Sequence, residues 1–178
     1  MGYMDCSISV NIATDYGRRM SMRMWPAINA YGGQVVQSWT PSGNGGAWPA
    51  FESAKSTYGT PTDIWMQICI FAQQGVTAAE VQTMIRNARS HAPKSRIWIN
   101  DQPTYNSKHT CSLADNDDAE LTDMRAREAA NAADNVFYAG TFLLRANVSP
   151  SEVATDTCHA SPAGELALGD QFIAKFGR

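Results

Sequence analysis

Residues 63–71, DIWMQICIF, constrain the fold more than any other stretch of the chain. A near-continuous apolar run of this kind is what a strand buried on both faces looks like. Such strands belong to parallel sheets that helices cover. A helix start follows at once. Thr77 and Glu80 have the spacing of a capping box, and Val81, Met84, Ile85 and Ala88 then recur as a buried helical stripe.

The same alternation extends along the chain. GYMDCSI (2–8) reads as a first strand, leading through a helical or irregular stretch to QVVQSW (34–39), a second strand closed by TPSGNGGAWP. Residues 63–71 are the third, RIWIN (96–100) the fourth and NVFYAG (135–140) the fifth. A helix is expected over 118–134, with Leu121, Met124 and Ala132 along one side, and another begins at the cap Ser161 with Pro162 in its first position. Leu166, Phe172 and Ile173 continue that last helix. Five strands separated by helices predict an α/β fold of three layers, α/β/α, around a five-stranded parallel sheet. With 178 residues and no repeat, low-complexity tract or linker, the chain reads as one domain. Ligand sites in such sheets lie at the carboxyl ends of the strands. The loops after residues 7, 39, 71 and 100, and the loop before the last helix, are therefore where function is expected.

Composition excludes several partners. Charged residues make up 17% of the chain, below the roughly 25% usual in soluble domains, and the net charge is −3. Basic residues are scattered, with GRR at 17–19 the nearest thing to a cluster, so neither a nucleic-acid footprint nor an anionic-membrane patch is present. No apolar run reaches the ~18–20 residues of a membrane span, and no signal peptide opens the sequence. Five Trp and the Asn- and Gly-rich loops nonetheless suggest an extracellular or cell-envelope protein. Nothing in the sequence specifies an oligomeric state.

The chemistry gathers at the two ends. Residues 156–170, DTCHASPAGELALGD, place Asp156 and His159 close enough to pair just ahead of a helix N-terminus. Spacing alone also fits an exposed capping turn. A hydrolytic triad needs a hydroxyl beside the imidazole and a carboxylate to hold its tautomer. The loop after the first strand lies near the sheet centre, which makes Ser7 the natural nucleophile, with Ser9 as competitor.

At these two blocks the chain resembles the SGNH hydrolases, also called GDSL esterases/lipases. Their closing block is Asp-x-x-His before a last helix, which DTCHASPAGELALGDQFIAKF matches; their first is Gly-Asp-Ser, where this chain has Asp5, Cys6 and Ser7. The resemblance implies a flavodoxin-like fold and an esterase with Ser7, His159 and Asp156 as its triad. It also implies an oxyanion hole from the Ser7 N–H and a glycine of SGNGGAW, for which Gly43 is preferred over Gly45 and Gly46. The family's third block, Gly-x-Asn-Asp, has Cys69 in place of the glycine and Phe71 in place of the asparagine. Asn44, Gln73 or Gln74 is then the amide available to replace that donor, whose loss costs on the order of 10²–10³ in rate. The implied substrate is a small or carbohydrate-linked ester, since no lid-like apolar insertion is present, and no cofactor is implied. Activity should rise where an imidazole ordinarily loses its proton, roughly pH 6–8. The competing expectation is a non-catalytic domain of the same fold that binds a glycan or a protein partner.

Four cysteines remain. His109, Cys111, Cys158 and His159 have a zinc-like composition, but adjacent residues rarely ligate one ion and CxxC spacing is absent, so no metal is expected. A Cys111–Cys158 disulfide tying the 102–117 loop to the catalytic loop is favoured. Cys6 and Cys69 either pair or are small buried thiols, the default for such positions. Among the tryptophans, Trp25 and Trp65 read as core. Trp48 in the Gly-rich loop and Tyr105 after the fourth strand are the candidates for substrate contact.

Overall fold

A computed structural model of the chain describes residues 1–4, 6–20, 24–41, 46–106, 111–114, 116–146 and 149–177. Strand β1 (Gly2–Met4) turns through Cys6 into α1 (Ser7–Arg19). A 3₁₀ turn (Asn29–Tyr31), α2 (Val36–Trp39) and α3 (Trp48–Tyr58) lead to β2 (Asp63–Gln67) and α4 (Ala78–His91). Then come β3 (Arg96–Asn100), β4 (Thr104–Tyr105), α5 (Asn116–Ala132), β5 (Val136–Tyr138), β6 (Leu143–Leu144) and α6 (Pro162–Phe176). The chain is thus α/β. Strands β1, β2, β3 and β5 form a four-stranded parallel sheet in that order, with Ile64 opposite Gly2 and Ile97, and Met66 opposite Met4 and Ile99.

Every residue of β2 is buried, as its apolar run demands. The helix starts follow their local chemistry. The Thr77 hydroxyl accepts from Glu80 N–H while Glu80 accepts from Thr77 N–H, and the Ser161 hydroxyl accepts from Gly164 N–H ahead of α6. Helix α6 packs on α1, and the two approach so closely that a Cβ at Gly169 would overlap the Asp15 carboxylate. Trp65 fills the space beneath α6, its ring 4.7 Å from that of Phe172. Helix α4 packs against α2 and α5. Among the described residues no helix is long and apolar enough to cross a membrane.

Three expectations need correction. Residues 34–39 are not a strand: Val36–Trp39 is a short helix, so the sheet has four strands where five were expected. Val35, Val36 and Trp39 have helical spacing, Val36 N–H bonds Cys69 O at 3.0 Å, and Trp39 packs between Tyr31 and Trp48. Residues 2–8 are a strand only to Met4, because Ile8, Ile12 and Tyr16 bury one helical face from Ser7 onward. On α5 the inward face is Ala119, Thr122, Ala126 and Ala129, while Met124 is exposed. Small side chains let that helix lie close to β3 and β5, with Leu121 packed at the edge of the core.

Candidate active site

Ser7 occupies the first position of α1, immediately after the carboxyl end of β1, with Cys6 as an extended N-cap residue (φ −108°, ψ −169°). The first N–H groups of a helix have no intrahelical acceptor and sit at the positive end of its dipole. The Ser7 N–H is therefore an anion-binding donor by position. Ser9 points the other way: it is fully buried, and its hydroxyl donates to Cys6 O at 2.7 Å.

The loop before α6 is a tight, heavily bonded turn. Val153 and Ala160 form an isolated antiparallel bridge, and Ala154 N–H reaches His159 O at 2.8 Å. Asp156 Oδ1 accepts from both the Cys158 and the His159 N–H at 3.0 Å, an Asx-type turn. Thr157 carries the turn at φ 66°, a left-handed conformation that a β-branched residue adopts rarely. The remaining oxygen, Asp156 Oδ2, lies 2.5 Å from His159 Nδ1, and His159 Nε2 lies 2.8 Å from Ser7 Oγ. The structure thus brings Ser7, His159 and Asp156 into one hydrogen-bonded series.

The Cys158 N–H, then the His159 ring, hold the Asp156 carboxyl down at about 2. It is a carboxylate at any ordinary pH and accepts from Nδ1–H. That leaves the Nε2 lone pair facing the Ser7 hydroxyl, which donates to it.

Both cysteine pairs are disulfides. Cys111–Cys158 has its Cα atoms 4.8 Å apart and Cys6–Cys69 6.3 Å, within the usual span. Cys6 and Cys69 are therefore not the buried thiols taken as the default. The loop that follows β2 passes beside the start of α1 and brings the sulfurs together. Each disulfide has one half beside a member of the series, Cys6 next to Ser7 and Cys158 next to His159. Cys111 and Cys158 are joined to each other, so neither is a thiolate for zinc; His109 lies outside the described residues.

Ser7 and His159 open onto a cavity of about 170 Å³ walled by both disulfides and by Ile8, Ile70, Phe71, Pro103, Tyr105 and Leu113. Its remaining polar side chain is Gln102, whose carboxamide oxygen accepts from Ile70 N–H at 3.1 Å. Ser7 and His159 also border a shallow groove lined by Val10, Asn11, Asn29 and Gly32.

The other sequence candidates are dispersed. Tyr105 is in the cavity wall, 6% exposed, its hydroxyl donating to Cys158 O at 2.6 Å. Burial, with a smaller contribution from the Asp156 charge, pushes that phenol up to about 12. It supports the loop that carries Asp156 and His159. The short parallel pair β4–β6 fixes its height, placing Tyr105 opposite Leu144. Trp48 does not reach the cavity: it is fully buried, bonded through Nε1 to Trp39 O and stacked on His91 at 4.3 Å. Gln73 is exposed on a turn at φ 65°, outside the cavity lining, and Gln74 Oε1 accepts from Phe71 N–H. Gly43 and Asn44 lie outside the described residues. Gln102, Ile70, Leu113 and Gly33 also line the cavity and were not singled out. For Gln102 the one sequence signal is a polar residue two positions after the fourth predicted strand. Gly33 has φ 72°, the left-handed region that favours glycine.

Searched against protein-family models and against curated proteins, the chain matches none.

Proposed function

We propose that the protein is a serine ester hydrolase of the SGNH type, with the three-layer arrangement of that family, working through an acyl-enzyme on small or carbohydrate-linked esters. The single observation that carries the reading is the series Ser7 Oγ–His159 Nε2 at 2.8 Å and His159 Nδ1–Asp156 Oδ2 at 2.5 Å, opening onto a cavity. Ser7 Oγ attacks the ester carbonyl while its proton passes to His159 Nε2. Asp156 holds the imidazole in the accepting tautomer and stabilises the imidazolium. The oxyanion forms beside the Ser7 N–H at the positive end of α1, and the Gln102 amide shares the wall of the same cavity. Collapse of the tetrahedral adduct breaks the bond to the alcohol oxygen, to which His159 returns the proton. Water, deprotonated by the same imidazole, then hydrolyses the acyl-Ser7. Two disulfides persist in oxidising compartments, which fits an extracellular or cell-envelope location.

A second reading, a binding domain for glycan or protein that has lost turnover, is favoured by one observation: Phe71 stands where the family pattern has an amide donor. Hydrolysis of a short-chain 4-nitrophenyl ester separates the two. Wild type should exceed Ser7→Ala by at least about 10⁴ in kcat/KM. Equal rates for the two proteins overturn the hydrolase reading.

A further inference from the structure

We infer that the cavity beside Ser7 is an acyl site for a group of about six carbons, so the protein prefers hexanoyl- or benzoyl-sized esters over acetyl and gains nothing from a longer chain. This rests on the acyl-enzyme reading above. Size comes first. A cavity of about 150 Å³ lined by aliphatic and aromatic side chains holds one benzene, and this one is about 170 Å³.

Lining comes second. Apart from Ser7, His159, Gln102 and Tyr105, whose hydroxyl is turned to Cys158 O, the lining side chains are carbon and disulfide sulfur. Phe71 and Leu113, each 42% exposed, flank its mouth. Apolar residues of that size left in water beside a nucleophile are accounted for when an apolar substrate group passes between them. Ser7 and His159 also border a second, shallower groove lined by Val10, Asn11, Asn29 and Gly32. An ester straddling Ser7 therefore has its acyl half in the cavity and its alcohol half over that groove, within reach of His159 for protonation.

Rigidity comes third, and it sets the upper limit. Phe71 follows the disulfide half Cys69 and Leu113 follows the disulfide half Cys111, so each side of the mouth is tied to a member of the catalytic series. The two sides are joined to each other by Ala72 N–H to Leu113 O. A cavity braced in this way cannot widen to admit a long chain. Carbons beyond the sixth stay outside in water.

The test is a 4-nitrophenyl ester series of acetyl, butanoyl, hexanoyl and dodecanoyl, with rates on Ser7→Ala subtracted. Each buried methylene strengthens transition-state binding about 4-fold, so kcat/KM should rise on the order of 10²-fold from acetyl to hexanoyl and gain nothing further at dodecanoyl. Ala114 also lines the cavity, and Ala114→Phe should collapse the hexanoyl-to-acetyl ratio to within a few-fold of unity. Leu113→Trp, at an exposed position, provides the same narrowing if Ala114→Phe fails to fold. A flat or acetyl-first profile, with Ser7-dependent hydrolysis intact, overturns the acyl site and leaves the hydrolase reading standing. So does a rate that climbs with the alcohol chain and not with the acyl chain. If no ester is hydrolysed above Ser7→Ala, the hydrolase reading fails, and calorimetric binding of hexanamide against acetamide tests the cavity alone. Tighter hexanamide binding that Ala114→Phe abolishes supports an apolar six-carbon site, and equal binding overturns it.

Discussion

Removing the Cys111–Cys158 disulfide by Cys111→Ala/Cys158→Ala should weaken both the fold and the chemistry, by amounts that can be worked from the structure. The bridge closes a loop with a sequence separation of 47. In the chain-entropy treatment that loop restricts the unfolded state by about 13.6 cal/mol/K, or about 4 kcal/mol at 25 °C. Set against a total stability of about 5–15 kcal/mol for a domain, this is a large fraction. The local effect adds to it. Cys158 sits between Thr157, held at φ 66°, and His159. A left-handed conformation costs an L-residue roughly 1–2 kcal/mol, and the disulfide is one of the restraints that offset this. Without it the turn can relax, and a displacement of about 1 Å at the imidazole is enough to cost about 10² in rate. Urea unfolding followed by tryptophan fluorescence should therefore show a loss of about 4 kcal/mol. At temperatures where the variant remains folded by circular dichroism, kcat should fall more than KM rises. A stability loss below about 1 kcal/mol together with an unchanged kcat would refute the reasoning, because the bridge would then restrain neither the unfolded chain nor the loop.

The remaining predictions concern two carboxyl groups. Asp156→Asn should lower kcat by about 10³–10⁴, because an amide facing Nδ1 favours the wrong tautomer, and wild-type-like kinetics would remove Asp156 from the mechanism. The Asp156 carboxyl, held at about 2, contributes stability that is present above its unfolded value near 4 and lost as pH falls through 2. The contribution is small because the side chain is 48% exposed. Urea midpoints of the variant should accordingly depend less on pH over that window than those of wild type, and identical profiles would contradict the shift. Asp101 behaves in the opposite sense. It is fully buried at the end of β3, neither oxygen forms a well-aligned hydrogen bond, and burial, with the nearby Asp123 charge, pushes it up to about 8, offset only in part by its own backbone N–H, Thr141 and Arg127. The fold keeps a proton that the unfolded chain releases, so stability falls as pH rises from about 4 to about 8 and is flat above. Asp101→Asn should be more stable than wild type at pH 7 by up to about 4 kcal/mol, from about 1.36 kcal/mol per pH unit, with the gap closing near pH 4. A difference that does not change with pH would show that Asp101 is not the group responsible.

Much of the frame was legible because its signals are local. The capping residues Thr77 and Ser161, the stripe Val81–Met84–Ile85–Ala88 and the apolar run of β2 each specify an element within a few residues of chain. Residues 34–39 were misread because Val35, Val36 and Trp39 fit a short strand and a short helix alike. What decides between them is the bond from Val36 N–H to Cys69 O and the packing of Trp39 against Tyr31 and Trp48, all tertiary. Trp48 misled for the same reason: a glycine-rich loop suggests exposure, while the indole is stacked on His91 in the core. Asp156 and His159 were readable as neighbours in sequence, and Ser7 from its place after the first strand, although that strand lies at the edge of the four-stranded sheet and not near its centre as expected. Gln102 and the cavity walls were not, since they come from separate segments of chain that meet only when the sheet forms.

The departures from the SGNH pattern look different once the disulfides are known. Cys6 stands at the aspartate of the first block and Cys69 at the glycine of the third. Taken one at a time, these are two losses, and they motivate the binding-domain reading. In the structure the two residues are bonded to each other, so they are one feature: a covalent tie between the carboxyl ends of β1 and β2, directly behind the proposed nucleophile. A domain released from catalysis has no need to keep Asp156, His159 and Ser7 in series, nor to brace the loops on both sides of them. A departure not absorbed in this way is Phe71. It is exposed at the cavity mouth, where it offers an acyl chain an apolar surface and an oxyanion nothing. On the proposed reading this position has exchanged a hydrogen-bond donor for binding surface. The burden of charge stabilisation then falls on the Ser7 N–H and the α1 dipole, with the Gln102 amide as the side-chain donor in the same wall. Such a site relies on substrate binding for much of its kcat/KM, which is why acyl-chain length, more than acid–base chemistry, is expected to dominate its selectivity.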